Sequence, residues 1–66
     1  MLIHLNGQAL DVADNLTAAE LLTQLGLAGK RLALELNREI VPRSTYADTR
    51  LQTGDEVEIV HAIGGG

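Results

Sequence analysis

The sequence predicts an α+β fold in which one main helix packs on one face of a five-stranded mixed sheet. Three observations lead to this prediction: a hairpin signal near the N-terminus, one apolar stripe with helical spacing, and alternating apolar residues in later segments. The chain has 66 residues, enough for one small domain, and Tyr46 is its only aromatic residue, so the core has to be aliphatic. We expect a domain over residues 1–63 and a flexible C-terminal glycine tail at 64–66.

A hairpin is predicted around Asn6-Gly7, which separates two short segments that contain apolar residues. Both central residues of a type I′ turn need positive φ, which Asn and Gly tolerate. Because cross-strand partners share a face, this turn places Ile3 on one face of the sheet and Leu2 and His4 on the other.

A helix is predicted over about residues 17–25. Thr17 and Glu20 have the spacing of a capping box, in which the threonine hydroxyl accepts from the Glu20 amide and the glutamate side chain reaches back. Apolar residues then follow at i, i+3, i+4 and i+7 and form one stripe: Ala18, Leu21, Leu22 and Leu25. Gly26 suits the left-handed conformation that ends a helix.

The segment after the helix predicts two strands. Leucine at every second position of residues 31–36 is typical of a half-buried strand. A turn over residues 37–39 then leads into Ile40-Val41, a short strand that Pro42 ends or confines to a sheet edge.

The last third of the chain predicts a loop and a final strand. Residues 43–53 are polar and are expected to be irregular, with Tyr46 and Leu51 as anchors. Gly54-Asp55 should turn the chain into a strand over residues 56–63. Hairpin, helix, strand, short strand, loop and strand follow one another in the β-grasp, or ubiquitin-like, order.

Composition and charge exclude several classes of function. The chain has no cysteine, which excludes disulfides, thiolate metal sites and thiol catalysis. Its net charge of −4 has the wrong sign for a nucleic-acid-binding protein. No apolar run approaches the roughly 20 residues that cross a membrane, and no signal peptide is visible, so we expect a cytoplasmic protein without a membrane partner.

The conventional candidates for catalysis are weak. His4 and His61 do not stand at metal-ligand spacing, and each is most simply a partly exposed strand residue. Ser44 has no histidine and carboxylate nearby in sequence, and a chain this small has little room for a cleft around it. We therefore predict that the protein is not an enzyme and binds no metal or cofactor of its own.

Gly64, Gly65 and Gly66 are the most informative residues, although they also fit an inert flexible tail. Residues without a Cβ can run extended through a channel too narrow for side chains, and three of them reach about 10 Å. A terminal carboxylate is ionised at neutral pH. It can attack the α-phosphate of ATP when another enzyme supplies the metal and the electrostatic stabilisation. In this interpretation the protein is a carried reagent and not a catalyst.

A partner-binding surface is predicted on the sheet face opposite the helix. If the helix covers Val57 and Ile59, the open face presents a small apolar patch: Leu2, His4, Ala33, Val60 and Ala62. Glu35 and Glu58 are expected to rim this patch. The alternating acids Glu56 and Glu58 fit either a solvated strand face or an acidic flank for a basic partner.

Several motifs occur together in this chain: Leu5-Asn6-Gly7, Leu16-Thr17 followed by Leu21-Leu22, Asn37-Arg38-Glu39-Ile40-Val41-Pro42-Arg43, Gly54-Asp55 and the terminal Gly65-Gly66. With these motifs and this length, the whole chain resembles the bacterial thiamin-biosynthesis sulfur carrier family (ThiS), a branch of the ubiquitin-like proteins. The run over residues 37–43 combined with the two final glycines is the most specific part of the resemblance. Gly64 departs mildly from the family, because other residues are commoner there.

The resemblance implies a reaction cycle in which the tail is a substrate. An E1-like adenylyltransferase would activate the Gly66 carboxylate with ATP, and a persulfide derived from cysteine by a desulfurase would convert it to a thiocarboxylate. Thiazole synthase would then take the sulfur into the thiazole ring of thiamin. By position, Gly66 becomes the thioglycine, and Gly64 and Gly65 thread the tail.

Three other functions are open at this point. The small subunit of molybdopterin synthase has the same fold, tail and chemistry with a different acceptor, although those chains are usually longer. Carriers for other sulfur-containing metabolites or for protein conjugation are similar. An interaction module with an inert tail belongs to a different class, and it would not react with an adenylyltransferase and ATP.

Overall fold

The computed structural model describes residues 1–61. Within this range the elements are β1 (Leu2–Leu5), β2 (Gln8–Asp11), α1 (Ala18–Gln24), β3 (Leu32–Leu36), β4 (Glu39–Ile40), a 3₁₀-helix (Arg43–Asp48) and β5 (Glu56–His61). The strands form one five-stranded sheet in the order β2-β1-β5-β3-β4. Because β5 is parallel to β1 and antiparallel to β3, the predicted mixed sheet is confirmed. The predicted domain end at residue 63 and the tail at 64–66 lie outside the described residues.

The first hairpin has the predicted register. Leu5 pairs with Gln8, and the two residues between them have positive φ, 50° at Asn6 and 82° at Gly7. Ile3 is fully buried, whereas its neighbours in sequence are exposed. One face of this hairpin therefore contributes to the core, and the other lies open.

Helix α1 begins with the predicted capping box. The Glu20 amide donates to Thr17 Oγ1 over 3.1 Å, and the Thr17 amide donates to Glu20 Oε1 over 2.9 Å. The backbone N–H of Thr17, followed by its hydroxyl, holds the pKa of the Glu20 carboxyl below its ordinary value. Gly26 takes the left-handed conformation, with φ of 73°, one residue after the C-cap Leu25. The predicted helix is confirmed.

The core lies between α1 and one face of the sheet and is aliphatic. Its buried members come from the strands, the helix and the segments beside them: Ile3, Val12, Leu16, Ala18, Leu21, Leu22, Leu34, Leu51, Val57 and Ile59. Tyr46 is half-buried and packs against this cluster, so both expected anchors of the second half, Tyr46 and Leu51, contact the core. Successive strand residues point to opposite faces, so the same strands leave a second face uncovered by the helix.

The second hairpin differs from the sequence prediction. Its turn consists of Asn37 and Arg38 only, with φ of 51° and 70°, and Glu39 already pairs with Leu36. The short strand is therefore Glu39–Ile40, not residues 40–41. The turn was placed wrongly because arginine is an unusual residue for the left-handed conformation, in which its Cβ approaches the following carbonyl oxygen.

The predicted irregular loop over residues 43–53 is also wrong in its first half, where Arg43–Asp48 form the 3₁₀-helix. Thr45 donates to the Pro42 carbonyl from its amide and from its hydroxyl, each over 2.9 Å. Local side-chain bonds of this kind stabilise a tight turn without any apolar period that a sequence pattern would show. Among residues 1–61, no helix is long and apolar enough to cross a membrane.

Candidate functional site at the exit of the central strand

The side chain of Asn6 holds the C-terminal end of β5, called here the exit because the chain continues from it toward the glycines in sequence. The backbone N–H of Asn6, the residue after β1, donates to the Val57 carbonyl of β5 over 2.8 Å. The Ile59 N–H then donates to Asn6 Oδ1 over 2.9 Å, and Asn6 Nδ2 donates to the Ile59 carbonyl over 3.5 Å. A side-chain amide thus continues the ladder by one position after β1 has turned away.

The last two described residues extend past the end of β1. Val60 pairs with Ala33 and His61 with Leu32, whereas the pairing with β1 ends at Leu5 and Val57. From Ile59 onward, β5 therefore pairs with β3 on one side, and no strand of the described residues pairs with it on the other. His61, the last described residue, lies on the central strand of the sheet, and the glycines follow it in sequence.

The described members of the predicted partner-binding surface, Leu2, His4, Ala33 and Val60, all lie exposed on the sheet face opposite the helix. Ala33 and Val60 are direct cross-strand partners, and the Val60 side chain is 57% exposed. Ala62, the fifth predicted member, lies outside the described residues.

Leu2 is not close to Val60. The Leu2 carbonyl accepts from the Gly54 amide over 2.8 Å, which places Leu2 beside the turn that precedes β5. Gly54 comes six residues before Val60, which corresponds to about 20 Å along the strand direction. The structure therefore divides the predicted surface into an exit end with Ala33 and Val60 and a start end with Leu2.

Acidic residues separate these two ends. Glu35 and Glu58 are direct cross-strand partners on the open face, and Glu56 pairs with His4. Like charges directly opposite each other destabilise a sheet slightly, so core packing does not explain this arrangement. The predicted acids thus lie in the middle of the face and not only at the rim of an apolar patch.

Sequence reasoning missed one exposed apolar residue on this face. Ile40 is 65% exposed and pairs with Glu35, so it shares the face of Ala33 and Val60. The predicted turn extended one residue too far, to Glu39, and this error in register obscured the face on which Ile40 lies. Reading Asn37-Arg38 as a two-residue turn would have placed Ile40 opposite Glu35 and thus on the open face.

The residues considered for catalysis do not come together. His4 is on β1 and His61 on β5, both exposed, and Ser44 is exposed on the 3₁₀-helix. Within residues 1–61, no group of three His, Cys, Asp or Glu side chains is arranged to hold a metal ion.

One main helix packed on a five-stranded mixed sheet, with β5 as the central strand, defines a ubiquitin-like β-grasp protein. Residues 3–66 match the model of the ThiS family. The sulfur carrier protein ThiS of Escherichia coli is 39% identical over 66 residues, covering all of both chains. The crystal structure of the thiamine biosynthesis protein ThiS from Geobacter metallireducens has a TM-score of 0.87 and 35% identity, also over all of both chains. The chain belongs to the ThiS family.

Some relatives are much longer than this chain. The thiazole synthase of Magnetococcus marinus is 44% identical over 66 residues, and that of Paramagnetospirillum magneticum is 41% identical. The chain spans 20% of the length of each. A segment similar to the whole of this chain therefore occurs within larger proteins that are named for thiazole synthesis.

Proposed function

We propose that this protein is a sulfur carrier for thiazole formation in thiamin biosynthesis and that Gly66 is the residue that carries the sulfur. The main support is the combination of ThiS family membership with a central strand that is fixed as far as Ile59 and continues toward Gly64-Gly65-Gly66. Gly66 follows His61 by five residues, which span at most about 18 Å when fully extended. A rigid body with a short reach suits the delivery of a chain end into another protein's active site.

The proposed chemistry is carried out on the Gly66 carboxylate by other enzymes. A carboxylate oxygen attacks the α-phosphorus of ATP on an E1-like adenylyltransferase, and pyrophosphate leaves. The sulfur of a persulfide, derived from cysteine by a desulfurase, then attacks the acyl carbon and displaces AMP. A thiol cleaves the sulfur–sulfur bond of the product by forming a mixed disulfide, and the thiocarboxylate is released.

Thiazole synthase is the proposed acceptor of the sulfur. This assignment is supported by the longer relatives named thiazole synthase, which contain a segment similar to this chain. We place the cycle in the cytoplasm and assign the protein no bound cofactor, since ATP belongs to the activating enzyme. Gly64 and Gly65 thread the narrow channel of the partner because neither presents a side chain.

The exit end of the open sheet face is the proposed contact surface for these partners. Val60 is an exposed β-branched residue beside a small one, Ala33, and both lie where the chain departs toward the glycines. A protein that encloses the tail therefore contacts this end of the sheet before any other part of the open face. Leu2, at the other end of the face, is expected to contribute little.

The position of the Gly66 carboxylate is the most direct test of this function. Adding one alanine after Gly66 keeps the fold and the charge but moves the carboxylate by about 3.5 Å. A displacement of about 1 Å already costs roughly a hundredfold in rate. With the adenylyltransferase, ATP and a sulfur donor, we expect the extended protein to acquire no sulfur, as measured by intact mass. Deletion of Gly66 should fail in the same way.

Gln24→Ala is the control, because it changes an exposed residue of helix α1 and leaves the glycine tail and its terminal carboxylate unaltered. We expect this variant to acquire sulfur. If the alanine-extended protein supported thiazole synthesis without being trimmed, the proposed function would be refuted.

A further inference from the structure

An open cleft of about 400 Å³ lies directly beside the exit of β5. Its lining comes from β3 and the residue before it, from the last residues of β5 and from the start of the 3₁₀-helix: Arg31, Leu32, Ala33, Arg43, Val60 and His61. The floor includes the Ala33–Val60 pair, whose side chains are small or β-branched. The cleft thus combines a short apolar surface with two guanidinium groups.

The two arginines stand apart from the chain's overall charge. The chain has nine acidic and five basic residues, and Arg31 and Arg43 are two of those five. Both are exposed, and among residues 1–61 neither forms a salt bridge. Their charges are therefore not neutralised by the described part of the fold.

The charge pattern of the open face favours a protein over a nucleic acid as the occupant. The basic cleft lies next to the acidic pair Glu35–Glu58 on the same sheet face. A strand of regularly spaced phosphates that reached the arginines would also meet these carboxylates, which repel it. A protein surface can place an acidic side chain on the cleft and a basic one opposite the glutamates. Complementarity of this kind sets the orientation of a complex.

We propose that this cleft binds acidic side chains of the adenylyltransferase that receives the tail, an inference that rests on the proposed function. Guanidinium groups bind carboxylates through two parallel N–H···O bonds, which favours arginine over lysine at such a contact. With carboxylates on Arg31 and Arg43 and apolar contact on Val60, the body of the carrier is held in one orientation. This orientation fixes the position from which residues 62–66 have to reach the reacting nucleotide.

Charge reversal at the cleft tests this inference. Arg31→Glu and Arg43→Glu are compared with Arg38→Glu, which changes the net charge by the same amount at the opposite end of β3. The measurement is carrier-dependent ATP–pyrophosphate exchange by the adenylyltransferase, which reports formation of the acyl adenylate. For each cleft variant we expect the apparent KM for the carrier to rise at least about tenfold, with kcat unchanged, because like charges then meet at the interface. Arg38→Glu should retain the KM of the unaltered protein.

Two further measurements complete the test. Affinity of the unaltered protein should fall with ionic strength, and Arg43→Gln should reduce that dependence. Equal KM values for the cleft variants and Arg38→Glu would overturn the inference. A lower KM in the cleft variants would also overturn it, since that outcome indicates that the arginines hold the chain's own terminal carboxylate.

A failure of the proposed function has a different signature. If the unaltered protein supports no exchange at all, the carrier function fails whatever the arginines do. Direct titration of the unaltered and variant proteins with the same enzyme then still decides about the cleft. Binding that is absent, or equal in Arg43→Glu and Arg38→Glu, would count against it.

Discussion

At its first residue β5 is held by Asn37, and at its fourth it is held by Asn6. Each asparagine is the first residue of a two-residue turn, with φ of 51° and 50° respectively. Each accepts a backbone N–H of β5 on its Oδ1 over 2.9 Å, from Glu56 in one case and from Ile59 in the other. The two hairpins that flank β5 therefore hold the central strand with the same kind of bond.

The surroundings of these two asparagines differ. Asn37 Nδ2 donates to Asp55 Oδ1 over 3.1 Å, and Asp55 Oδ2 accepts from the Gln52 amide over 2.8 Å, so the start of β5 is tied into the preceding turn. Among residues 1–61, the side-chain amide of Asn6 instead bonds only to Ile59, through both its oxygen and its nitrogen. The start of β5 is therefore tied into its own preceding loop, whereas Asn6 holds the other end at Ile59 and the last described residues, Val60 and His61, pair with β3.

The largest expected effect is the loss of stability when the bonds between the Asn6 side chain and Ile59 are removed. Asn6→Ala leaves the N–H of a buried residue without a partner and places an alanine at positive φ, so we expect the free energy of unfolding to fall by about 2–3 kcal/mol. Asn37→Ala places an alanine at the same positive φ, but water replaces the bonds of its exposed side chain to Glu56 and Asp55, so we expect a smaller loss of about 1–2 kcal/mol. Urea unfolding of both variants measures the difference. Equal losses would show that the two ends are energetically alike.

The second-largest expected effect is on partner binding, which should depend on the exit end of the open face and not on its start end. Val60→Asp places a carboxylate on the apolar contact beside Ala33, and we expect the affinity for the adenylyltransferase to fall at least about tenfold. Leu2→Asp makes the same kind of change on the same face at the start end and should leave the affinity within about twofold. Both side chains are exposed, 57% and 48%, so both variants should fold, as circular dichroism would show. Equal losses of affinity would mean that the whole face docks.

The smallest expected effect concerns the second residue of each turn. Gly7 takes positive φ without strain, whereas Arg38 has a Cβ at φ of 70°. Arg38→Gly removes that strain but adds freedom to the unfolded chain, so we expect stability to rise by at most about 1 kcal/mol. Thermal unfolding measures this change. A loss of stability would indicate that the Arg38 side chain makes a contribution that its exposure does not suggest.

Much of the fold was predictable because it depends on bonds between residues close in sequence. The Asn6-Gly7 hairpin, the Thr17–Glu20 capping box and the turn at Gly54-Asp55 each involve only a few neighbouring residues, and the structure confirms them. The turn at Asn37-Arg38 was missed because its second residue is not one that the conformation favours. That single error also concealed the exposed Ile40.

The sheet face that carries the candidate surface was predicted, but the layout of its residues was not. Alternation along each strand correctly placed Leu2, His4, Ala33 and Val60 on the open face. The distance between Leu2 and Val60 depends on the register between β1 and β5, which pairs His4 with Glu56. No local pattern encodes that register, because the two strands lie about 50 residues apart in the chain and meet only when the core assembles.

By itself, the amino-acid sequence determined the aliphatic core, the first hairpin, the helix, the family and the glycine motif, since these follow from residue types and short spacings. Tertiary structure alone decided that β5 is the central strand, that Asn6 holds it at Ile59, and that Arg31 and Arg43 share a cleft beside its exit. The physical reason is that each of these contacts joins segments from distant parts of the chain. Such contacts form only when burial of the shared apolar face outweighs the entropy cost of closing the loops between them.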